Sequence, residues 1–141
     1  MRITEQGIHL MDVQILEQKI GDAWQAHRAG NQAQSVELFE QVLNDLEQLT
    51  DADLKISKIR LEADAHYGLG LALRARGNRD AAIRSFQAAH QLCQERYQKL
   101  ASHPDSQTYS NNLGTMEDDR YMMLLVMIGQ RLRELGASVP D

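Results

Sequence analysis

ADAHYGLGLALRARGNRDAAIRSFQAAHQL, residues 63–92, is the stretch whose spacing decides the fold. Leu69-Gly70 and Leu73 share one helical face, and Gly77-Asn78 ends that helix. Ala82, Phe86 and Ala89 follow on a second helix at i, i+4 and i+7, two small residues one turn either side of an aromatic. Gly70 and Ala82 lack bulk, so two backbones can approach. Phe86 fills the crossing, and Gly77 supplies the left-handed conformation that stops a helix. The stretch predicts two helices packed closely and antiparallel.

Composition extends that reading to the whole chain. A chain of 141 residues is one domain by length and hides about 70% of its unfolded surface, enough for a core without staples. Only Pro104 and Pro140 are prolines, and β-branched residues are sparse beside Ala, Leu, Gln, Glu and Arg, which favours helix nearly everywhere. The expected class is all-α. A net charge of −5 argues against nucleic-acid binding, which needs a basic face to neutralise phosphates. A lone cysteine, Cys93, excludes an intrachain disulfide and a multi-cysteine metal site. Met1-Arg2-Ile3-Thr4-Glu5-Gln6 holds no apolar signal region. The longest apolar run, 121–128, is eight residues, against the roughly 20 that cross a bilayer. No membrane role and a cytoplasmic setting are expected; small size and simplicity suggest a bacterial one.

Periodicity predicts five helices. The first runs from residue 4 or 9 to 29, with Ile8, Met11, Ile15, Ile20, Ala23 and His27 on one face. The second covers 32–49, with Val36, Phe39, Val42 or Leu43, Leu46 and Leu49 as its apolar stripe. Thr50-Asp51-Ala52-Asp53 reads as a capping box opening a third helix over 51–76. The fourth, 79–101, carries Ile83, Phe86, His90, Cys93, Tyr97 and Leu100. Residues 102–112 form a polar loop. A fifth helix runs from a second capping box at Thr115 to residue 135, its acidic start at Glu117, Asp118 and Asp119 favoured by the helix dipole. The organising pattern recurs twice. Ala23, Ala26, Gly30-Asn31, Ser35, Phe39 and Val42 copy it 47 residues upstream, with Asp22 and Lys19 as departures, and Ile128-Gly129, Leu132 and Gly136 echo its first half.

Leu69, Gly70, Leu73, Gly77, Ala82, Phe86 and Ala89 together resemble the signature of the tetratricopeptide repeat, small and large residues at fixed offsets in a helix–turn–helix unit. The resemblance implies an α-solenoid of antiparallel helix pairs: repeat one over 9–49, repeat two over 51–101, and a half-repeat or cap over 115–136. The standard period is about 34 residues; the excess here is assigned to longer second and third helices.

The resemblance also implies a non-catalytic scaffold that binds proteins, an adaptor or assembly subunit. In that family the first helix of each pair lines a concave groove. By position this face is Glu17, Ile20, Trp24, His27 and Arg28, then Asp64, Tyr67, Leu71 and Arg74, then Met123, Val126, Gln130 and Arg133. An apolar-aromatic centre with a basic end suits a protein partner's amphipathic helix or an extended peptide with acidic flanks. The alternative is that Trp24 and Tyr67 pack against the fifth helix. Chaperone-tail binders of the family clamp a carboxylate with a lysine and an asparagine four apart. Ile20 and Trp24 stand there instead, so that activity is not expected.

Tyr121, Met122, Leu125 and Val126 belong to a run that is apolar all round, Tyr121-Met122-Met123-Leu124-Leu125-Val126-Met127-Ile128. A helix without a wet face wants cover on every side, so a homodimer through this helix stands as the second reading. Met-rich surfaces also adapt to varied partners. His66, His90 and Cys93 invite a metal reading, but His90 and Cys93 fall in the apolar stripe of the fourth helix, and packing is favoured. Arg74, Arg76, Arg79 and Arg84 around Gly77 read as solvated helix ends, without the interleaved aromatics of a nucleic-acid surface. Gly68, Gly70 and Gly77 follow no strand, so they form no phosphate loop. No nucleophile is marked by a neighbouring base, and neither enzyme activity nor a cofactor is expected.

Overall fold

A computed structural model of the chain describes residues 5–54, 57–102 and 113–139, with side chains placed for 13–50, 52–54, 57–98 and 119–139. Five α-helices follow one another: α1 Glu5–Arg28, α2 Gln32–Glu47, α3 Lys58–Ala75, α4 Arg79–Ser102 and α5 Leu113–Glu134. Among the described residues there is no strand. The all-α expectation holds.

Three glycines end three of these helices in the same way. Gly30 and Gly77 have φ +86° and Gly136 φ +75°. The next residue then donates its N–H to the carbonyl five positions back: Asn31 to Ala26 at 2.8 Å, Asn78 to Leu73 at 2.9 Å, Ala137 to Leu132 at 2.9 Å. Each closure satisfies a carbonyl that the helix end would leave orphaned.

Two of the turns are tight enough to fold the chain straight back. α1 and α2 are antiparallel: Ser35 Oγ donates to the Ala23 carbonyl at 2.9 Å near the turn, and Lys19 Nζ meets Asp45 Oδ2 at 2.9 Å farther along. Lys19 thus finds a partner at a position that is otherwise apolar. α3 and α4 cross at Gly70, where a Cβ would lie 2.6 Å from Phe86 Cε1. Successive helices touch throughout, and α1 also reaches α3.

α5 lies beside α3 and parallel to it. Ser57 Oγ and Tyr121 Oη are 3.1 Å apart at one end, and Arg74 Nη1 donates to Glu134 Oε1 at 2.7 Å at the other. Alternate helices therefore share a layer: α1, α3 and α5 on one side, α2 and α4 on the other. The core between them holds Phe39, Phe86, Leu46, Ala63, Ala82, Ala89, Cys93, Tyr121, Ile128 and Leu132, all fully buried.

Several boundaries differ from the expectation. Thr50 and Asp53 do bond, with the Thr50 N–H donating to Asp53 Oδ2 at 2.9 Å. They close a single 3-10 turn, Asp51–Asp53, and no α-helix grows from it. α3 opens instead at Lys58, where Ser57 Oγ accepts the Arg60 N–H at 3.3 Å. The residues in excess of the standard period therefore go largely into a connection, 48–57, while α2 stays at 16 residues. Leu49 anchors that connection at 2% exposure.

α5 begins at Leu113, ahead of Thr115. The Thr115 capping box and its acidic neighbours Glu117 and Asp118 lie outside the described side chains, as do Ile8, Met11, Ile56 and Leu100; residues 103–112, the expected loop, are also outside the described residues. On α1, Ile15 is 47% exposed and Leu16 is fully buried. One residue turns a helix by about 100°, so Leu16, in the place of Ala63, is the core position and Ile15 is not.

Candidate protein-binding groove

The helices of the α1–α3–α5 layer carry the residues expected to face a partner. On α1, Glu17 and Arg28 are exposed, while Ile20, Trp24 and His27 are half-buried. The Trp24 indole stands edge-on to Phe39, centroids 5.1 Å apart, and to His27 at 6.3 Å. Trp24 is thus braced by α2, and the alternative that it packs against the fifth helix is not what supports it. His27 Nδ1 donates to Gln32 Oε1 at 2.7 Å, which fixes the ring across the α1–α2 turn.

On α3, Leu71 is half-buried and Tyr67 is 7% exposed, its ring tilted against Phe86 at 5.8 Å. Tyr67 therefore contributes mainly to the α3–α4 core. Asp64 is partly buried, and burial raises its carboxyl above the ordinary 3.8 against the opposing pull of Arg60, whose Nε is 4.0 Å away. Arg74 is spoken for: Glu134 Oε1 takes it at 2.7 Å, and the other oxygen of Glu134 takes Arg131 at 2.9 Å.

On α5, Met123 and Val126 are 64% and 61% exposed, the most open of the large apolar side chains among the described residues. Gln130 and Arg133 are exposed beside them. The structure thus brings Ile20, Trp24 and Leu71 onto adjoining helices of one layer and extends that layer with Met123 and Val126. Its basic end is smaller than expected, since Glu134 occupies Arg74.

The remaining candidates resolve by their surroundings. His90 is 5% exposed and Cys93 fully buried on α4. Burial lowers the His66 and His90 imidazoles below their usual 6.5. Among the described residues no three His, Cys, Asp or Glu side chains are grouped to hold a metal. Nor is any helix there long and apolar enough to cross a membrane. Of the arginines around Gly77, two also bond at the end of α5 while staying partly or largely exposed: Arg74 to Glu134, and Arg79 to the Leu135 carbonyl just past that helix at 3.0 and 2.6 Å. A hollow of about 280 Å³ between α1 and the end of α2 is lined by Ile15, Lys19, Asp45, Gln48 and Leu49. The Lys19–Asp45 pair satisfies its charges from within.

Two contributors carried no signal that periodicity could show. Gly68 faces the other way from Gly70: a Cβ there would lie 2.6 Å from Phe39 Cε1, so it sets the approach of α3 to α2. Glu134 joins α5 to α3 across 60 residues of sequence.

A family model of the tetratricopeptide repeat matches residues 63–96. No curated protein and no solved structure matches the chain. The matched residues span most of α3 and α4, include the Gly70–Phe86 crossing, and turn at Gly77. Residues 63–96 are identified by that match as a tetratricopeptide repeat.

Proposed function

We propose that the chain is a non-catalytic interaction module, an adaptor or assembly subunit, that takes a partner's amphipathic helix or extended peptide along the α1–α3–α5 layer. The single observation that carries this reading is the set of half-exposed apolar side chains Ile20, Trp24 and Leu71 on adjoining helices, with exposed Arg28 at one edge. A partner would bury its apolar face there, with aromatic area from Trp24 contributing most. Arg28 and Arg133 would orient acidic flanks of the partner, since Arg74 is already paired. The layer is organised as two long repeats, 9–49 and 51–101, and a half-repeat, 115–136. The glycine-ended closures at Gly30, Gly77 and Gly136 support that division.

The test is affinity capture from the native host with wild type, Arg28→Glu and Leu71→Ser. Loss of the same captured protein in both variants, with helicity by circular dichroism near wild type, supports the groove. Capture undiminished by both variants discards it. Trp24→Ala with Tyr67→Ala is less discriminating, because both rings also brace the core against Phe39 and Phe86.

A further inference from the structure

Asp119, Val126 and Arg133 stand seven residues apart on one face of α5, and all three are exposed. Met122 and Met123, 46% and 64% exposed, lie between the first two, and exposed Gln130 lies between the last two. At about 100° per residue these side chains fall within about 60° of the Val126 direction. The face is an apolar stripe roughly 20 Å long, with a carboxylate at one end and a guanidinium at the other. Neither Asp119 nor Arg133 has an ion-pair partner among the described residues. Arg74 and Arg131, near Arg133, are both matched by Glu134.

The geometry points to a second copy of this chain as the occupant of that face, its α5 running antiparallel and the two-fold axis passing at Val126. The charges decide the occupant and its direction. Asp119 and Arg133 are equidistant from Val126, so the two-fold places each Asp119 opposite the partner's Arg133, twice over. Val126 meets its own symmetry mate, and exposed Met122 comes opposite exposed Gln130, four residues either side of it. A parallel arrangement would set Asp119 against Asp119 and Arg133 against Arg133. Self-complementarity of this kind is what an isologous contact requires, and apolar residues flanked by paired charges are how helices fix orientation.

Of the residues expected to self-associate, Met122 and Val126 lie on this face. Leu125 is half-buried at its flank. Tyr121 is fully buried and bonded to Ser57, so it belongs to the fold and not to the contact. The same face carries Met123, Val126 and Arg133 of the proposed groove, so the dimer would close that end of the groove to other ligands.

The test is a charge-swap cycle read by sedimentation equilibrium on the full chain, at concentrations up to about 0.5 mM. Wild type should show a concentration-dependent monomer–dimer equilibrium. Asp119→Arg and Arg133→Asp should each weaken it by about tenfold or more, because each creates two like-charge pairs. The double variant Asp119→Arg/Arg133→Asp should return to within about threefold of wild type. Both positions are exposed, so helicity should not change. A monomer throughout that range overturns the proposal, as do single variants that dimerise like wild type or a double variant as weak as the singles. A monomeric wild type whose groove ligand is lost on Val126→Asp would assign this face to that ligand instead. Arg28→Glu and Leu71→Ser lie on α1 and α3, so failure of the groove leaves this result standing, and the converse holds.

Discussion

Arg79, the first residue of α4, donates from Nε and Nη2 to the carbonyl oxygen of Leu135 at 3.0 and 2.6 Å. The acceptor lies just past the end of α5, where helix carbonyls lack intrahelical donors and partial negative charge collects. A guanidinium there serves both needs and ties the α3–α4 turn to α5. Arg79→Ala should cost about 1 kcal/mol, below the roughly 1.5–3 kcal/mol of a charged hydrogen bond because the side chain is largely exposed. The loss should be local. Hydrogen exchange should quicken for amides near 128–135 while α2 and α3 stay protected, whereas uniform quickening would mean that Arg79 supports the whole fold.

Three glycines that look alike in sequence should respond differently to alanine. A Cβ on Gly70 meets the Phe86 ring at 2.6 Å, and one on Gly68 meets the Phe39 ring just as closely, while one on Gly21 has nothing within 4 Å. Gly70→Ala and Gly68→Ala should each destabilise by roughly 1–3 kcal/mol, because a buried ring must leave its rotamer or the helices must part. Gly21→Ala should stabilise by about 0.5–1 kcal/mol, since α1 is unstrained there and the unfolded chain loses freedom. Urea unfolding of the three variants checks the order; a Gly70→Ala protein as stable as wild type would mean the crossing is looser than the structure shows.

These glycines also mark how far the sequence could be read. Gly70, Ala82, Phe86 and Gly77 announce a helix pair because close approach and left-handed turns need particular residue types at fixed offsets. The copies at Ala23, Gly30, Ser35 and Phe39 follow the same rule, and all of them fold as that rule requires. Gly68 was legible only as a composition detail, since its ring partner Phe39 lies on a different helix pair. The start of α3 was misplaced for a physical reason. Thr50–Asp53 and Ser57–Arg60 both offer side-chain closure over three residues, and the first stops at a single 3-10 turn. Pairings such as Arg74–Glu134 and Lys19–Asp45 have no periodicity at all. They narrow the proposed groove: the sequence assigns Arg74 to orienting a ligand, and in the structure it pairs with Glu134 of α5.

His90 should make the protein sensitive to mild acid. Burial lowers its imidazole, and that of His66, below the usual 6.5, so the folded state resists a proton that the unfolded chain accepts. The unfolded state therefore binds more protons once pH falls through about 6.5, and stability drops from there toward the depressed values. Asp64 acts in the opposite sense in a lower window, from 3.8 up to its raised value, where the folded state keeps the proton. Midpoint temperature should be lower at pH 5.5 than at pH 7.5. His90→Leu, which installs the residue that Leu43 supplies 47 positions earlier, should shrink that difference and leave the share due to His66. An unaltered difference in the variant would place the acid response elsewhere.

Cys93 should report the opening of the α3–α4 pair. Its thiol is fully buried on α4, and burial, reinforced by the nearby Asp64 carboxylate, pushes it up to about 12. At pH 8 only about one native thiol in 10⁴ is ionised, against roughly a quarter of thiols with the ordinary 8.5, and the thiolate is the species that attacks a disulfide reagent. Ionisation alone thus slows the native reaction by about a thousandfold or more, before exclusion of the reagent is counted. Labelling must then pass through an open state, and its rate should follow the opening equilibrium. It should climb steeply with urea well before the main unfolding transition if α4 parts from α3 locally, and together with that transition if it does not. Gly70→Ala, which forces the same two helices apart, should accelerate it. A native rate close to that of a small free thiol, insensitive to urea and to Gly70→Ala, would mean that Cys93 reaches solvent in the folded protein.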